Sequence, residues 1–259
     1  MKEIVFSKYQ GTGNDFIIID NREESFPKND ETLIKRLCDR KFGIGSDGLI
    51  LIEDSRSFDF KMIFYNPDAT QSFCGNGSRC AVAFSKHLGI TDDHADFEAI
   101  DGAHYATIKD NLVRVKMADV SNPEKINDGY FIHTGSPHYV KFSDNVKELN
   151  INALGAEIRN RKDLFGKEGV NVNFVSELQK GSVFVRTYER GVEAETLSCG
   201  TGVTAVAIVY GLEKGLEKTD VETKGGVLEV EFENTGAHGV KEVYLTGPVS
   251  HVFDGVFKI

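Results

Sequence analysis

Two copies of one short string, Cys74-Gly75-Asn76-Gly77 and Cys199-Gly200-Thr201-Gly202, stand 125 residues apart in a chain of 259. Each opens a mostly apolar run, AVAFSKHLG in the first case and VTAVAIVYGL in the second, with helix ends expected near Gly89 and Gly215. A helix that is apolar on most sides belongs inside a domain. Strand-like segments surround both helices: residues 49–53, 59–65 and 96–117 around the first, residues 182–190, 227–232 and 240–246 around the second. The repeat therefore predicts an internal duplication of about 120 residues, giving two similar α/β domains in which strands wrap a central helix. Residues 118–130, with Asn122, Pro123, Asn127 and Gly129, are the candidate linker.

The rest of the first half fits that scheme. Glu3 to Phe6 reads as a strand. Gly11-Thr12-Gly13-Asn14 reads as a loop whose Gly and Asn permit unusual backbone angles and close approach to a ligand, and an apolar run follows from Phe16 to Ile19. Residues 30–40 carry a helical pattern with Asp30 as N-cap and Leu33, Ile34, Leu37 and Cys38 on one face.

Charge narrows the partners. Forty Asp and Glu outnumber 30 Lys and Arg, a formal charge of −10, and no basic run is present. Nucleic acid and anionic membrane surfaces are therefore not expected partners. No apolar run approaches the ~20 residues that span a bilayer, and MKEIVFSKYQ has no signal-peptide core. A cytoplasmic location is the expectation. Four cysteines, Cys38, Cys74, Cys80 and Cys199, form no C-x-x-C pair and have no His cluster beside them, so no metal site is expected. Cys38 and Cys80 fall on apolar helix faces and read as core.

Cys74 and Cys199 read differently. A cysteine followed by Gly-x-Gly at a helix start lies near exposed backbone N–H groups and the positive end of the helix dipole, which favours thiolate. One such unit fits a redox cysteine or a nucleophile. Two suit a different chemistry, because inverting an α-carbon needs one group to remove a proton from one face and a second to deliver one to the other. One sulfur must then be thiolate while its partner is thiol, and their titrations are coupled. Helix-start amides would stabilise charge developing on the substrate carboxylate. A binding protein on the same scaffold and a thiol redox switch are the competing readings.

Several further pieces accompany the two strings in order: Gly11-Thr12-Gly13-Asn14-Asp15-Phe16, Gly43-Ile44-Gly45-Ser46-Asp47-Gly48, Glu189-Arg190-Gly191 and a closing GPVSHVFDG. Together with the two C-G-x-G strings, these resemble the diaminopimelate epimerase family over essentially the whole chain. The resemblance implies interconversion of LL- and meso-2,6-diaminopimelate in lysine and peptidoglycan synthesis, with no pyridoxal phosphate, no metal and no other cofactor. It implies an α/β (α+β) fold of two pseudo-symmetric domains, each a mostly antiparallel sheet wrapped round a central helix, with the active site in the cleft between them. The expected domains are residues 1–119 with a returning strand at 252–259, and residues 120–251. A homodimer is implied as well.

Residue by residue, Cys74 and Cys199 match the family's two catalytic thiols. By the family's convention Cys74 donates and Cys199 accepts the proton for the LL substrate. Asn14, Asn66 and Asn171 match side chains that hold the substrate. Glu189 and Arg190 match the pair contacting its amino and carboxylate groups, with Glu189 also supporting catalysis. Gly75-Asn76 and Gly200-Thr201 match backbone donors, and His138 matches a histidine beside the site. Three departures stand out: Ser136-Pro137-His138 replaces the common Asn-Pro-His, Gln71 stands where an acidic residue often precedes the first cysteine, and the Glu189–Cys199 interval is longer by one residue than the family pattern.

Related families are distinguishable. Proline racemase-like enzymes usually carry His after Cys-Gly, where this chain has Asn76, and phenazine-type isomerases lack the cysteine pair. Gly43-x-Gly45-x-x-Gly48 matches a dinucleotide fingerprint in form, but the strand-like LILIE follows where a helix is required.

Overall fold

The computed structural model describes residues 3–259. The chain divides into two compact units, one built from the segment up to Val115 together with Gly247–Ile259, the other from Lys116–Thr246. Among the described residues no helix is long and apolar enough to cross a membrane.

In the first unit the chain runs β1 (Glu3–Gly11), β2 (Asn14–Asp20), α1 (Glu31–Cys38), β3 (Gly48–Glu53), β4 (Phe60–Tyr65), α2 (Gly75–His87), β5 (His94–Ala99), β6 (Gly102–Lys109) and β7 (Leu112–Lys116). The C-terminal strand β17 (Ser250–Lys258) completes it by pairing antiparallel with β1. The sheet order is β17-β1-β2-β3-β4-β5-β6-β7. Two neighbours, β2/β3 and β4/β5, are parallel and the other pairs antiparallel. Both parallel steps are helix crossovers, α1 spanning the first and α2 the second, because parallel neighbours cannot be joined by a hairpin.

The second unit contains β8 (Glu124–Ile126), β9 (Gly129–His133), β10 (Pro137–Phe142), α3 (Ile151–Arg159), α4 (Lys162–Phe165), β11 (Asn171–Gln179), β12 (Ser182–Glu189), β13 (Ala194–Thr196), α5 (Gly200–Lys214), β14 (Lys218–Thr223), β15 (Gly226–Asn234) and β16 (Val240–Pro248). Its order is β8-β9-β10-β11-β12-β14-β15-β16, with β10/β11 and β12/β14 parallel and the rest antiparallel. Strand for strand this is the same pattern as in the first unit, with α5 in the place of α2. β17 fills the place that β8 fills in the second unit, so the first half needs the last strand of the chain to complete the repeat. The expected linker at residues 118–130 contains β8.

Alternation explains the layers. In β2 and β3, Ile18, Ile50 and Ile52 pack with Cys80, Ala81, Val82 and Phe84 of α2. Ile17, Ile19, Leu49 and Leu51 point the other way and pack with Leu33, Ile34 and Leu37 of α1. β3 is buried along its full length. In the second unit every residue of α5 from Gly202 to Gly211 is buried. Full burial of each Val or Ile contributes about 1.5–3 kcal/mol, so α5 anchors the core that Val140, Val175, Val185, Val221 and Val230 complete.

The segment carrying the formal dinucleotide fingerprint has a packing explanation. A Cβ on Gly43 would lie 1.7 Å from the Arg36 carbonyl oxygen, and one on Gly48 would lie 2.3 Å from the Phe64 ring. Gly48 then starts β3, a strand and not a helix. The turn between β1 and β2 is a tight hairpin in which Thr12 and Gly13 take positive φ, 52° and 84°. Asn14, expected among the residues with unusual angles, instead starts β2.

Candidate active site

Each repeated cysteine caps a helix. Cys74 is extended at φ −131°, ψ 110°, and its Sγ accepts from the Gly77 amide at 3.4 Å. Cys199 has nearly the same backbone, φ −120°, ψ 112°, at the start of α5. The glycines that follow leave the first-turn N–H groups without side-chain cover, and those groups have no intrahelical acceptors.

In the first unit, Cys74 Sγ lies 4.0 Å from Asn14 Oδ1, to which Asn76 Nδ2 donates at 3.3 Å. Asn14 is oriented from behind: its Nδ2 donates to Asp47 Oδ2 at 2.6 Å. Asp47 in turn meets Arg40 at 2.6 Å, and Arg40 and Lys8 both pair with Asp15, at 2.5 and 2.6 Å. Burial pushes the Asp15 carboxyl up, but the hydrogen bonds and charges of Arg40 and Lys8 outweigh it and hold the group at about 2. On the other side of Asn76 lies Arg79, fully buried. Its Nη1 donates to Asn76 Oδ1 at 3.0 Å and its Nη2 to Thr12 Oγ1 at 3.1 Å. Its Nε has no partner among the described residues. Burial pulls the guanidinium down to about 10, while the neighbouring thiols Cys80 and Cys74 act in the opposite direction.

In the second unit, Cys199 Sγ sits 3.5 Å from Thr201 Oγ1. Burial raises this thiol well above its ordinary value and the Glu189 carboxylate raises it further, while the Thr201 hydroxyl and the Gly202 amide act the other way. Thr201 Oγ1 is 2.9 Å from His138 Nε2 and 3.1 Å from Ser136 Oγ. His138 is fully buried. That burial, with His133 and Arg190 nearby, pulls its imidazole down to about 3, so it is neutral in ordinary buffers. Asn171 Nδ2 donates to Ser136 Oγ at 3.2 Å and to the Pro137 carbonyl at 3.1 Å, and its Oδ1 accepts from the Arg190 amide at 2.8 Å.

The residues expected from sequence thus fall into two clusters. Asn14, Gly75 and Asn76 gather at Cys74; Thr201, Gly200, Glu189 and His138 gather at Cys199, with Asn171 bound to Ser136 beside them. Asn66 is held within its own turn: its Nδ2 donates to the Thr70 carbonyl, Thr70 Oγ1 and Ser72 Oγ at 3.1–3.2 Å, fixing the turn that leads to Cys74. Arg190 Nη1 meets the exposed Glu168 at 3.2 Å. Sequence reasoning missed Asp47, Arg79 and Asn173. Arg79 had a signal, a charge inside an apolar helix. So had Asn173, since Asn171 and Asn173 alternate with valines and share one face of β11.

Among the described residues no group of three or more His, Cys, Asp or Glu is placed to hold a metal ion.

The family model for diaminopimelate epimerase matches residues 6–122 and 130–252. A diaminopimelate epimerase of Flavobacterium psychrophilum is 49% identical over 95% of this chain and 97% of its own. The Aquifex aeolicus enzyme of that name is 43% identical over 96% of each chain. The chain belongs to the diaminopimelate epimerase family. It is an isomerase, and the relatives extend to Archaeoglobus fulgidus, at 35% identity over 99% of this chain and 97% of that one. Solved structures share the fold at low identity. A phenazine biosynthesis protein of the PhzF family from Bacillus anthracis has a TM-score of 0.77 at 13% identity, covering 100% of both chains. A hydroxyproline epimerase from Agrobacterium vitis, with bound trans-4-hydroxy-L-proline, has a TM-score of 0.69 at 15% identity, covering 98% of this chain and 92% of that one. The expected α+β architecture with a central helix in each half agrees with these folds.

Proposed function

We propose that this epimerase interconverts LL- and meso-2,6-diaminopimelate, with Cys74 and Cys199 as its acid–base pair. The observation that carries the reading is the duplicated placement of a thiol at the cap of a buried, glycine-opened helix. For the LL substrate the thiolate of Cys199 takes the α-proton: an S–H bond forms, the Cα–H bond breaks, and the electron pair moves into the carboxylate. The thiol of Cys74 then returns a proton to the opposite face of the carbon and becomes the thiolate. Atoms and charge balance without any other reactant. The barrier falls because helix-start amides of Gly75, Asn76, Gly200 and Thr201 meet the charge growing on the carboxylate oxygens; one such donor is typically worth roughly 3–4 kcal/mol. Asn14, Asn66, Asn171, Glu189 and Arg190 hold the substrate in this reading, and His138 supports the chemistry.

A cytoplasmic setting and a homodimer belong to the same reading. The dimer is supported by exposed apolar side chains on the first unit: Val5 is 68% exposed and its cross-strand partner Val256 53%.

The test is proton NMR of LL-diaminopimelate with the reduced protein in heavy water. Loss of the α-proton signal with appearance of the meso isomer is the expected result. A folded, reduced protein that exchanges no α-proton would overturn the assignment.

A further inference from the structure

The second unit contains a chain of hydrogen bonds whose directions can be worked out from its fixed ends. Backbone carbonyls only accept and backbone amides only donate, so any side-chain amide touching one is oriented by it. Asn173 is fully buried. The atom it places 3.1 Å from the Tyr139 carbonyl oxygen must be its Nδ2. That same Nδ2 lies 3.1 Å from His138 Nδ1, while Thr187 Oγ1 donates to Asn173 Oδ1 at 2.9 Å. His138 Nδ1 therefore accepts, and the proton of this neutral ring sits on Nε2. The other tautomer would set a ring N–H against the Asn173 amide protons. Flipping Asn173 to relieve that would aim its Oδ1 at the Tyr139 carbonyl.

The remaining directions follow. Asn171 is pinned in the same way, by the Pro137 carbonyl and the Arg190 amide, so it donates to Ser136 Oγ. Ser136 Oγ lies 2.9 Å from the protonated His138 Nε2. With both lone pairs of Ser136 taken, its own proton goes to Thr201 Oγ1. The single His138 Nε2 proton, 2.9 Å from both hydroxyl oxygens, is shared between Ser136 and Thr201 in a three-centre bond, so Thr201 Oγ1 accepts from both neighbours and its own proton is left for the Cys199 sulfur 3.5 Å away.

We propose that Asn173 is a positioning residue: by locking His138 as the neutral Nε2–H tautomer it turns the Thr201 hydroxyl into a fixed donor to Cys199, supporting the thiolate of that residue. This deepens the proposed function and rests on it only in treating Cys199 as a working thiol. The geometry also gives a reason for the second glycine of this repeat. A Cβ on Gly202 would lie 2.6 Å from Asn173 Oδ1 and 3.3 Å from His138 Cε1. The start of α5 can reach the Asn173–His138 pair only if that position is bare. The arrangement opposes what else surrounds the thiol, namely its burial and Glu189. The charged and titratable groups around His138 itself are His133, Arg190 and Cys199. Both His133 and Arg190 disfavour the imidazolium, so the ring works as a neutral donor and not as a proton shuttle.

Two measurements test this, and neither needs turnover. Long-range proton–nitrogen correlation on the labelled protein, with His138 assigned by its loss in His138→Gln, should show Nε2 protonated and Nδ1 bare from about pH 6 to about pH 9. A proton on Nδ1, or titration within that window, would overturn the lock. The second is the pH dependence of Cys199 alkylation in a Cys74→Ser background, read by mass spectrometry on the peptide that carries Cys199, because Cys38, Cys80 and Cys199 are all buried. Thr201→Val and Asn173→Leu should each raise the half-maximal pH by about one unit, a tenfold change in the thiol equilibrium. Thr201→Ser should keep the wild-type value. If Thr201→Val leaves the profile unmoved, the relay is wrong; if only Asn173→Leu does, Asn173 is structural. Should Asn173→Leu fail to fold, the tautomer measurement and the Thr201 pair still decide. Loss of the epimerase assignment would show instead as absent α-proton exchange, with these readouts unaffected.

Discussion

Arg79 and Thr204 hold the same place in the two halves, each five residues beyond its helix-capping cysteine and each fully buried. The duplication has kept the backbone and changed the charge. Arg79 is a buried cation whose field includes Cys74. Thr204 is neutral and bonds back to the Gly200 carbonyl at 3.0 Å, while the charge that reaches Cys199 is the carboxylate of Glu189. A nearby cation favours thiolate and a nearby anion opposes it. The two thiols therefore sit in unequal fields, a cation's at Cys74 and a carboxylate's at Cys199.

Arg79→Met should expose that inequality. A buried guanidinium without a carboxylate carries a desolvation cost that an apolar side chain of similar length does not. The variant should melt no lower than the wild type, yet the pH for half-maximal Cys74 alkylation in a Cys199→Ser background should rise by about one unit. kcat should fall at least about tenfold. An unshifted alkylation profile would show that Arg79 is a packing residue.

Cys74→Ala and Cys199→Ala should each abolish epimerisation with the fold retained, as read by circular dichroism and chiral analysis of the product. Normal turnover in either single variant would end the two-base assignment.

Gly202→Ala and Gly77→Ala should differ, although the two glycines are equivalent in the repeat. At Gly202 the new methyl meets Asn173 Oδ1 at 2.6 Å, an atom held by Thr187. At Gly77 the nearest atom is the far end of Ile50, at 3.2 Å, which can turn away. Overpacking typically costs about 1–3 kcal/mol. That loss is expected for Gly202→Ala and little of it for Gly77→Ala, compared by thermal melts.

Acid should act on the first unit through Asp15. Its carboxyl is held at about 2 against an ordinary 3.8, so the folded state binds its proton less readily than the unfolded chain. The associated stability is present above about pH 4 and is lost as pH falls toward 2. Because Arg40 is 58% exposed, screening reduces the effect to on the order of 1–2 kcal/mol. Asp15→Asn should flatten the wild-type loss of urea stability between those pH values. An unchanged slope would place the acid sensitivity elsewhere.

Val256→Glu should convert a dimer to monomers in light scattering, since it puts a charge directly across the strand pair from the exposed Val5. A dimer that survives it uses another face.

The sequence by itself determined the local elements and the chemistry they carry. Residues 30–40 contain a helix capped by Asp30, whose side chain accepts from Leu33 at 3.0 Å. Both cysteines head buried helices, because glycine placement and apolar periodicity are short-range signals. Only the tertiary structure decided which polar residues meet. Asn14 is oriented by Asp47, 33 residues away, His138 by Asn173, 35 away, and Arg79 is tied to Thr12 across 67. Nor could local pattern show that β17 would pair with β1 from the far end of the chain. Strand register and side-chain hydrogen bonds across a sheet are long-range pairings. They are fixed when burial forces each polar atom to find a partner, and that selection operates only once the core has formed.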